Sequence, residues 1–205
     1  MLYPSPSKKY CMRNVLMLLL VVFVTNAATA QMEPKGLHVN DKAPTFIAVD
    51  QNGRQVSLSV LMAKGPVVLV FYRGQWCPYC NKQLSNLQDS VSFITGKGAT
   101  LVAVAPEKPE NIQKTIAKTK ASYPVLFDSG LTIMKSYDVA YNVGSEMLAK
   151  YKKYGIDFNQ VNGANGASLP VPTVYIINTS GIITYVNFNP DFTKRPSVSE
   201  IVSHL

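Results

Sequence analysis

The sequence predicts an α/β fold with a central, mostly parallel β-sheet, an antiparallel hairpin at the edge of the sheet and helices on both of its faces. Residues 67–72 (VVLVFY) are β-branched or aromatic almost throughout, which is typical of a central strand buried on both faces. Strand and helix patterns alternate after it, and this alternation favours parallel pairing. Residues 174–178 and 182–188 are two further strand patterns, and the turn signal between them at 179–181 (TSG) predicts the edge hairpin.

The remaining elements are predicted from local signals. Strands are predicted at residues 45–50, 100–105 and 124–127, and helices at 57–63, 81–93, 109–121, 129–137 and 197–205. Glycines end the second of these helices, a proline begins the third, and Ser197 is placed to cap the last. This order of elements resembles the thioredoxin fold with an N-terminal extension.

Residues 141–169 do not fit that plain fold and form an insertion before the late hairpin. Residues 145–155 (SEMLAKYKKYG) predict a basic helix, whereas residues 159–169 (NQVNGANGASL) are loop-like. A long loop beside an active site is often a lid or a substrate contact. The sequence leaves that interpretation open against a simple surface elaboration.

The first 30 residues have the three parts of a secretory signal peptide, namely a basic start, a short apolar core and small residues at the end. These parts are Lys8, Lys9 and Arg13, then residues 15–24 (VLMLLLVVFV), then residues 28–30 (ATA).

Cleavage after residue 30 leaves residues 31–40 as a flexible lead-in and residues 41–205 as one domain, which suits the length of the chain. An uncleaved anchor is the competing interpretation, although a spanning helix needs about 20 apolar residues. We therefore expect export to the periplasm or the extracellular space, with no stable membrane span after the signal is removed.

The charge of the chain argues against nucleic acid as a partner. The formal net charge is +8, and removal of the three basic residues of the signal leaves +5 with no dense cluster of Lys and Arg. Removal of the signal also takes away Cys11, so that two cysteines remain. In an oxidising compartment a close pair of cysteines forms a disulfide unless something reduces it.

The two cysteines, Cys77 and Cys80, lie between the buried strand 67–72 and a helix. The first thiol stands at the helix N-terminus, where unpaired N–H groups and the helix dipole favour an anion and lower the thiol pKa. The second thiol lies one turn later and can close a redox disulfide with it. Pro78 restricts the first turn, and the pair Pro78-Tyr79 influences the reduction potential.

The sequence gives less support to two other roles for the cysteine pair, a zinc site and a purely structural disulfide. A structural zinc site needs four ligands, and the only histidines, His38 and His204, lie at opposite ends of the exported chain. We therefore expect no metal and no cofactor. A purely structural disulfide between Cys77 and Cys80 would close almost no loop and would stabilise little.

A proline marks the start of the late hairpin. Proline is not tolerated inside a central strand, so Pro172 is expected where the strand begins, immediately before Thr173. Thioredoxin-fold enzymes place a cis proline here, facing the cysteine pair, with backbone beside it that can pair with an incoming peptide or thiol. We expect Pro172 to be cis; a stiff connector 169–172 (LPVP) with trans prolines is the alternative.

These motifs resemble the peroxiredoxin-like branch of the alkyl hydroperoxide reductase and thiol-specific antioxidant family. The similarity is carried by residues 71–81 (FYRGQWCPYCN), with weaker support from residues 41–44 (DKAP), 155–157 (GID) and 169–172 (LPVP). It runs from about residue 40 to the C-terminus.

The resemblance implies site roles in two alternative ways. In the peroxiredoxin alignment, Cys80 is the cysteine that attacks peroxide, Cys77 stands where a peroxide-orienting threonine is usual, and Pro172 stands near a usual arginine. In the thioredoxin alignment, Cys77 is the nucleophile and Cys80 resolves. Arg73 is close enough in sequence to supply the missing positive charge. Trp76, the only tryptophan, is either a flat surface facing the substrate or a cover for the end of the sheet.

The cysteine pair and the resemblance together are compatible with three functions. The first is reduction of hydroperoxides through a disulfide between Cys77 and Cys80, recycled by a thioredoxin-type thiol reductant. The second is thiol-disulfide exchange on protein or small-molecule disulfides with Cys77 as the nucleophile. The third is a redox-inert binding module. Chemistry favours the first two, because a strand–CxxC–helix unit is hard to explain without thiol reactions.

Overall fold

The polypeptide from residue 33 to residue 205 is described by a computed structural model, and residues 34–205 form one folded unit. The expected signal peptide, residues 1–30, lies outside the described residues. Among the described residues, no helix is both long and apolar enough to cross a bilayer.

The elements of this unit occur in nearly the predicted order. The strands are β1 (Ile47–Asp50), β2 (Gln55–Ser57), β3 (Val67–Phe71), β4 (Thr100–Ala105), β5 (Val125–Phe127), β6 (Ala140–Asn142), β7 (Ser168–Pro170), β8 (Thr173–Ile177) and β9 (Ile183–Phe188). The helices are α1 (Leu58–Met62), α2 (Pro78–Asp89), α3 (Val91–Gly96), α4 (Pro109–Thr119), α5 (Thr132–Ser136), α6 (Ser145–Lys153), α7 (Phe158–Asn162) and α8 (Val198–Ser203), with single 3₁₀ turns at Ser129–Leu131 and Gly163–Asn165.

Within residues 33–205, seven strands form one sheet in the order β2-β1-β5-β4-β3-β8-β9. The central pairs β3–β4 and β4–β5 are parallel, and β8 and β9 form the antiparallel hairpin. The predicted fold class is confirmed. Antiparallel pairing is more extensive than the sequence suggests, because β1 pairs antiparallel with both β2 and β5, and β8 pairs antiparallel with β3.

The core lies on both faces of this sheet, because every residue of β3 is buried. Val68 and Val70 pack with apolar side chains of α2, α4 and α8 on one face. Leu69 and Phe71 pack with those of α1 and α5 on the other. Full burial of each large apolar side chain contributes roughly 1.5–3 kcal/mol, so β3 is firmly held and its C-terminal end is a rigid base for the turn that leads to the cysteine pair.

The prediction of a cis peptide bond before Pro172 is wrong, since the described residues contain no cis peptide bond. The chain is extended through this region. β7 pairs with β6, and the N–H of Val171 then donates to the carbonyl of Val139 at 2.8 Å. A residue before proline favours extended geometry, and the trans form suits this continuous path into β8. The trans alternative for the connector is therefore correct.

The insertion 141–169 has secondary structure and a small apolar cluster of its own. Its first half contains the expected basic helix, α6, and its second half is more ordered than a loop, with α7, a 3₁₀ turn and β7. Strands β6 and β7 form a two-stranded sheet. Val143, Phe158 and Leu169 are buried together as a small apolar cluster that holds the insertion in one shape.

One buried amide ties the insertion to the main sheet. Asn165 Oδ1 accepts from the N–H of Gly130 at 2.9 Å. Its Nδ2 donates to the carbonyls of Pro106 at 2.8 Å and Asp128 at 2.9 Å. Because Asn165 is 7% exposed, water cannot replace these bonds.

Asn165→Ala should therefore lower the free energy of unfolding by roughly 2–4 kcal/mol, since it leaves several buried polar groups without partners. Urea unfolding followed by circular dichroism measures this change. Asn159→Ala, at an exposed position in the same insertion, is the matched control and should change stability by less than about 0.5 kcal/mol. Equal stabilities of the two variants would contradict the anchoring role of Asn165.

Candidate active site

The cysteine pair begins where β3 ends. The N–H of Tyr72 continues the β3–β4 pairing with a bond to the Val104 carbonyl at 3.1 Å, and the chain then turns toward α2. Cys77 is the N-cap residue of α2, and Pro78 occupies the first turn. Both Cys77 and Cys80 are buried free thiols. The structure therefore describes the reduced pair at the helix start, in the position that the sequence predicts.

Gly74 is required by the turn between strand and helix. Its φ of +149° lies in the region that favours glycine. A Cβ at Gly74 would lie 2.5 Å from Trp76 Nε1 and 2.8 Å from Glu107 Oε1. The absence of a side chain lets the indole and the carboxyl group approach the backbone just before the cysteine pair.

The surroundings of Cys77 favour its thiolate. The hydrogen bond from the Cys80 thiol is the largest influence and, with the charges of Arg73 and Arg195 and the N–H of Cys80, it outweighs burial and lowers the pKa of Cys77 to about 6. At neutral pH the reactive form of the thiol therefore accumulates at Cys77.

Cys80 has the opposite character. Burial raises the pKa of Cys80 well above its ordinary value, and the hydrogen bond and charge of Cys77 add to this effect. Arg195 Nη2 lies 3.6 Å from Cys80 Sγ and works against the increase without overcoming it. Cys80 therefore holds its proton more tightly than Cys77 does.

Arg195 is a site residue that sequence reasoning missed. It precedes α8, and its guanidinium is fixed by bonds from Nε to Gln83 Oε1 at 2.8 Å and from Nη1 to the carbonyls of Phe192 and Lys194, each at 2.6 Å. No local pattern could have identified it, because its contact with Cys80 spans 115 positions.

Arg73 lies close to the cysteine pair, and its charge acts on Cys77. Its side chain is 1% exposed and is surrounded by aromatic rings, with Cζ 4.1 Å from the ring centre of Phe192 and 4.9 Å from that of Trp76. Its Nη2 donates a hydrogen bond to Tyr151 Oη of the insertion. The guanidinium is therefore enclosed by aromatic rings next to Cys77.

A second missed residue, Glu107, lies fully buried behind the turn. Its Oε1 accepts from the N–H of Gln75 at 2.6 Å, and its Oε2 accepts from the Thr115 hydroxyl at 3.3 Å. Burial raises the pKa of Glu107 to about 7, and the charge of Cys80 adds to this while the hydrogen bonds oppose it. A sequence signal existed: Glu107 comes shortly after a buried central strand, at the edge of the sheet where the cysteines stand.

The front of the site is an open cleft of about 580 Å³. Its lining includes Arg73, Trp76, Cys77, Pro78, Tyr79 and Lys118 from the main domain and Tyr151 from the insertion. The Trp76 ring lies edge-on to Tyr151 and Phe158 at centroid distances of 5.2 and 5.7 Å. Trp76 thus faces the cleft and also joins it to the insertion, which forms one wall of the site.

The structure does not bring every expected residue into the cleft. Pro172 is buried and Thr173 begins β8, where it pairs with Phe71 and its hydroxyl donates to the Val171 carbonyl at 2.9 Å. Both support the end of β3 without lining the cleft. Within the described residues, no group of three or more His, Cys, Asp or Glu side chains is placed to hold a metal ion.

The sequence profile described as the AhpC/TSA family matches residues 39–186. The chain belongs to this family. The resemblance of the sequence to this family is thereby confirmed.

Similar proteins carry two kinds of name. The chain is 25% identical over 163 residues to "Peroxiredoxin Q, chloroplastic" of Oryza sativa subsp. japonica, covering 80% of this chain and 64% of that protein. It is 24% identical over 145 residues to "Thiol-disulfide oxidoreductase ResA" of Bacillus subtilis (strain 168), covering 70% of this chain and 64% of that protein. This AhpC/TSA chain thus spans just under two thirds of the length of both relatives.

Solved structures agree on the fold. The crystal structure of peroxidoxin BcpB from Mycobacterium tuberculosis superposes with a TM-score of 0.60 at 23% identity, covering 74% of this chain and 86% of that chain. At this identity the likeness supports the thioredoxin-like fold that the AhpC/TSA chain adopts.

The first expected outcome concerns the Cys77 thiol. The rate at which iodoacetamide alkylates Cys77, followed by peptide mass spectrometry across pH, should rise with a midpoint of about 6. Arg73→Met should raise that midpoint by roughly 1–3 pH units, because a nearby opposite charge stabilises the thiolate. Lys152→Met, at an exposed position of the insertion, should leave it unchanged. A midpoint near 6 in Arg73→Met would contradict the role of Arg73.

The second expected outcome concerns the effect of Glu107 on how stability changes with pH. With a pKa raised from 4.5 to about 7, Glu107 binds its proton more tightly in the folded protein, so its stabilising contribution is present below pH 4.5 and is lost as pH rises through 7. Between pH 4.5 and pH 8, wild type should therefore lose on the order of 2–3 kcal/mol of unfolding free energy relative to Glu107→Gln.

Urea unfolding at several pH values measures this difference. Glu110→Gln, at an exposed position of α4, is the control and should follow wild type at every pH. A constant difference between wild type and Glu107→Gln across the pH range would show that Glu107 does not titrate differently on folding.

Proposed function

We propose that this protein is a thiol peroxidase that reduces hydroperoxides through Cys77 and Cys80. The observation that carries the proposal is the position of Cys77 at the start of α2, where it lines an open cleft together with the buried side chain of Arg73. A thiol that is ionised at neutral pH, next to a buried guanidinium, is prepared for nucleophilic attack. Membership of the AhpC/TSA family and similarity to proteins named peroxiredoxin Q support the same reaction.

The proposed reaction has two chemical steps. In the first, the Cys77 thiolate attacks one peroxide oxygen, an S–O bond forms, the O–O bond breaks, and an alcohol or water leaves after taking a proton. In the second, the sulfenic acid at Cys77 condenses with the Cys80 thiol to give a disulfide and water. A thioredoxin-type dithiol then restores both thiols and becomes oxidised itself.

The roles of the two cysteines in this proposal are assigned from their environments. The peroxiredoxin alignment assigns peroxide attack to Cys80. However, burial raises the pKa of Cys80, whereas the pKa of Cys77 is lowered and Cys77 lines the cleft. We therefore propose Cys77 as the attacking thiol and Cys80 as the resolving thiol, as in the thioredoxin alignment.

Thiol-disulfide exchange is the second candidate function. The same thiolate attacks a disulfide sulfur equally well in principle, and a Cys77–substrate mixed disulfide would then be resolved by Cys80. Similarity to a protein named thiol-disulfide oxidoreductase favours this candidate independently of the site geometry. The exported location, periplasmic or extracellular, remains part of the proposal and rests on the signal-like residues 1–30.

Single-cysteine variants test the proposed roles. In a Cys11→Ser background of the full chain, reduced protein is mixed with hydrogen peroxide in a stopped-flow instrument, and Trp76 fluorescence and peroxide consumption are monitored. Cys80→Ser should consume one equivalent of peroxide and accumulate a trappable sulfenic acid at Cys77. Cys77→Ser should react no faster than a free thiol, and wild type should exceed that rate by at least about 10²-fold, the lower end of what positioned proton transfer provides.

Two results would contradict the proposal in different ways. A fast reaction in Cys77→Ser together with a slow one in Cys80→Ser would assign the attack to Cys80. A wild-type rate equal to that of a free thiol would exclude the peroxidase function and leave disulfide exchange, which reduction of a small aromatic disulfide by the same protein would then measure.

A further inference from the structure

Arg73 presents a buried guanidinium with a hydrogen-bond donor that the fold leaves unused. Its side chain is 1% exposed, and no carboxylate in the described residues forms an ion pair with it. Its Nε is buried without any hydrogen-bond partner. A buried donor without a partner is costly for stability, and an oxygen atom that binds at this guanidinium would supply one.

Tyr151 of α6 completes this arrangement from the insertion. Its Oη accepts the hydrogen bond from Arg73 Nη2, and within the described residues its own O–H makes no further hydrogen bond. Its ring is fixed against Trp76 and Phe158, at 5.2 and 5.4 Å between centroids. The phenol is therefore a positioned hydrogen-bond donor on the wall of the cleft that contains Cys77.

The other polar groups near the cleft are less suited to meet an oxygen at Cys77. Lys118 Nζ is used by Gln75, with bonds of 2.9 Å to its carbonyl and 2.6 Å to its Oε1. Tyr154 is 81% exposed and makes no hydrogen bond to Arg73. Arg195 reaches Cys80, and its remaining donors are held by Gln83 and by backbone carbonyls.

We propose that Arg73 and Tyr151 together form the binding site for the peroxide oxygens, and that Tyr151 protonates the oxygen that leaves. The proposal rests on the proposed peroxidase function. Tyr151 would thus be a catalytic residue that the insertion contributes, and the insertion would take a direct part in the reaction.

The proton balance of this step is complete. Cys77–S⁻ attacks the hydroxyl oxygen of R–O–O–H, sulfur is oxidised by two electrons, and the O–O bond breaks. The departing RO⁻ accumulates negative charge beside Arg73 and takes the Tyr151 proton to become ROH. The tyrosinate then regains from solvent the proton that Cys77 released when it ionised.

Tyr151→Phe tests the proposal because it removes one oxygen atom and leaves the ring that packs on Trp76. In the full-length Cys11→Ser protein, we expect the second-order rate with hydrogen peroxide and with cumene hydroperoxide to fall by about 10²-fold, as loss of one positioned donor to a developing oxyanion typically does. The iodoacetamide alkylation rate of Cys77, which reports the thiolate without an oxygen leaving group, should change less than about threefold. Tyr154→Phe is the matched control and should resemble wild type in both assays.

Each other outcome has a defined meaning. If Tyr151→Phe reduces peroxide as fast as wild type, or loses peroxide reduction and alkylation in equal measure, Tyr151 does not act on the leaving oxygen and the proposal is overturned. If wild type itself reduces peroxide no faster than a free thiol, the proposed function fails first, a result that the wild-type measurement alone identifies.

Discussion

A buried positive charge beside a buried thiol is the constraint on which this site depends. A charge removed from water costs several kcal/mol unless an opposite charge or hydrogen bonds replace the water. The positive charge of Arg73 and the negative charge of the Cys77 thiolate stabilise each other. A hydrogen bond from the Cys80 thiol stabilises the thiolate further. Consequently the ionised form of Cys77 is the one that the enclosure stabilises, and the two cysteines differ in reactivity although they are chemically identical.

The rest of the fold serves to hold that pair of charges in place. β3 is buried along its whole length and ends at the turn, so the backbone of Arg73 starts from a rigid position. Gly74 then allows Trp76 and Glu107 to approach the turn from two sides. The insertion closes the third side with aromatic rings, and the buried amide of Asn165 fixes the insertion to the main sheet. Rigidity matters here because the guanidinium has no carboxylate among the described residues to hold it.

The parts of this site that are local in sequence could be predicted, and the parts made by distant contacts could not. The apolar run of β3 and the nearby Cys77 and Cys80 indicate a thiol at a helix start, because strand, turn and helix are consecutive. Arg195 reaches Cys80 across 115 positions, and no pattern in one sequence reveals such a contact.

Pro172 shows how a correct local signal still allowed a wrong conclusion. Proline does stand where β8 begins, as the sequence indicates, but its position is compatible with both peptide isomers. The pairing of β6 with β7, and of Val171 with Val139, decides for the extended trans path. Those pairing partners lie in the insertion and just before it, where the sequence pattern was least regular.

The choice between peroxide and disulfide as substrate reduces to what the leaving group needs. A thiolate released from a disulfide is a stable anion near neutral pH and can leave without a proton. An alkoxide or hydroxide released from a peroxide is a far stronger base, and its departure is helped by a positive charge and a proton donor placed beside it. A site built only for disulfide exchange would need an accessible sulfur and a thiol of low pKa. The charge of Arg73 alone would help to lower that pKa. The hydrogen bond between Arg73 and Tyr151 on the cleft wall adds a hydroxyl that disulfide exchange does not require, and for this reason we favour peroxide as the substrate.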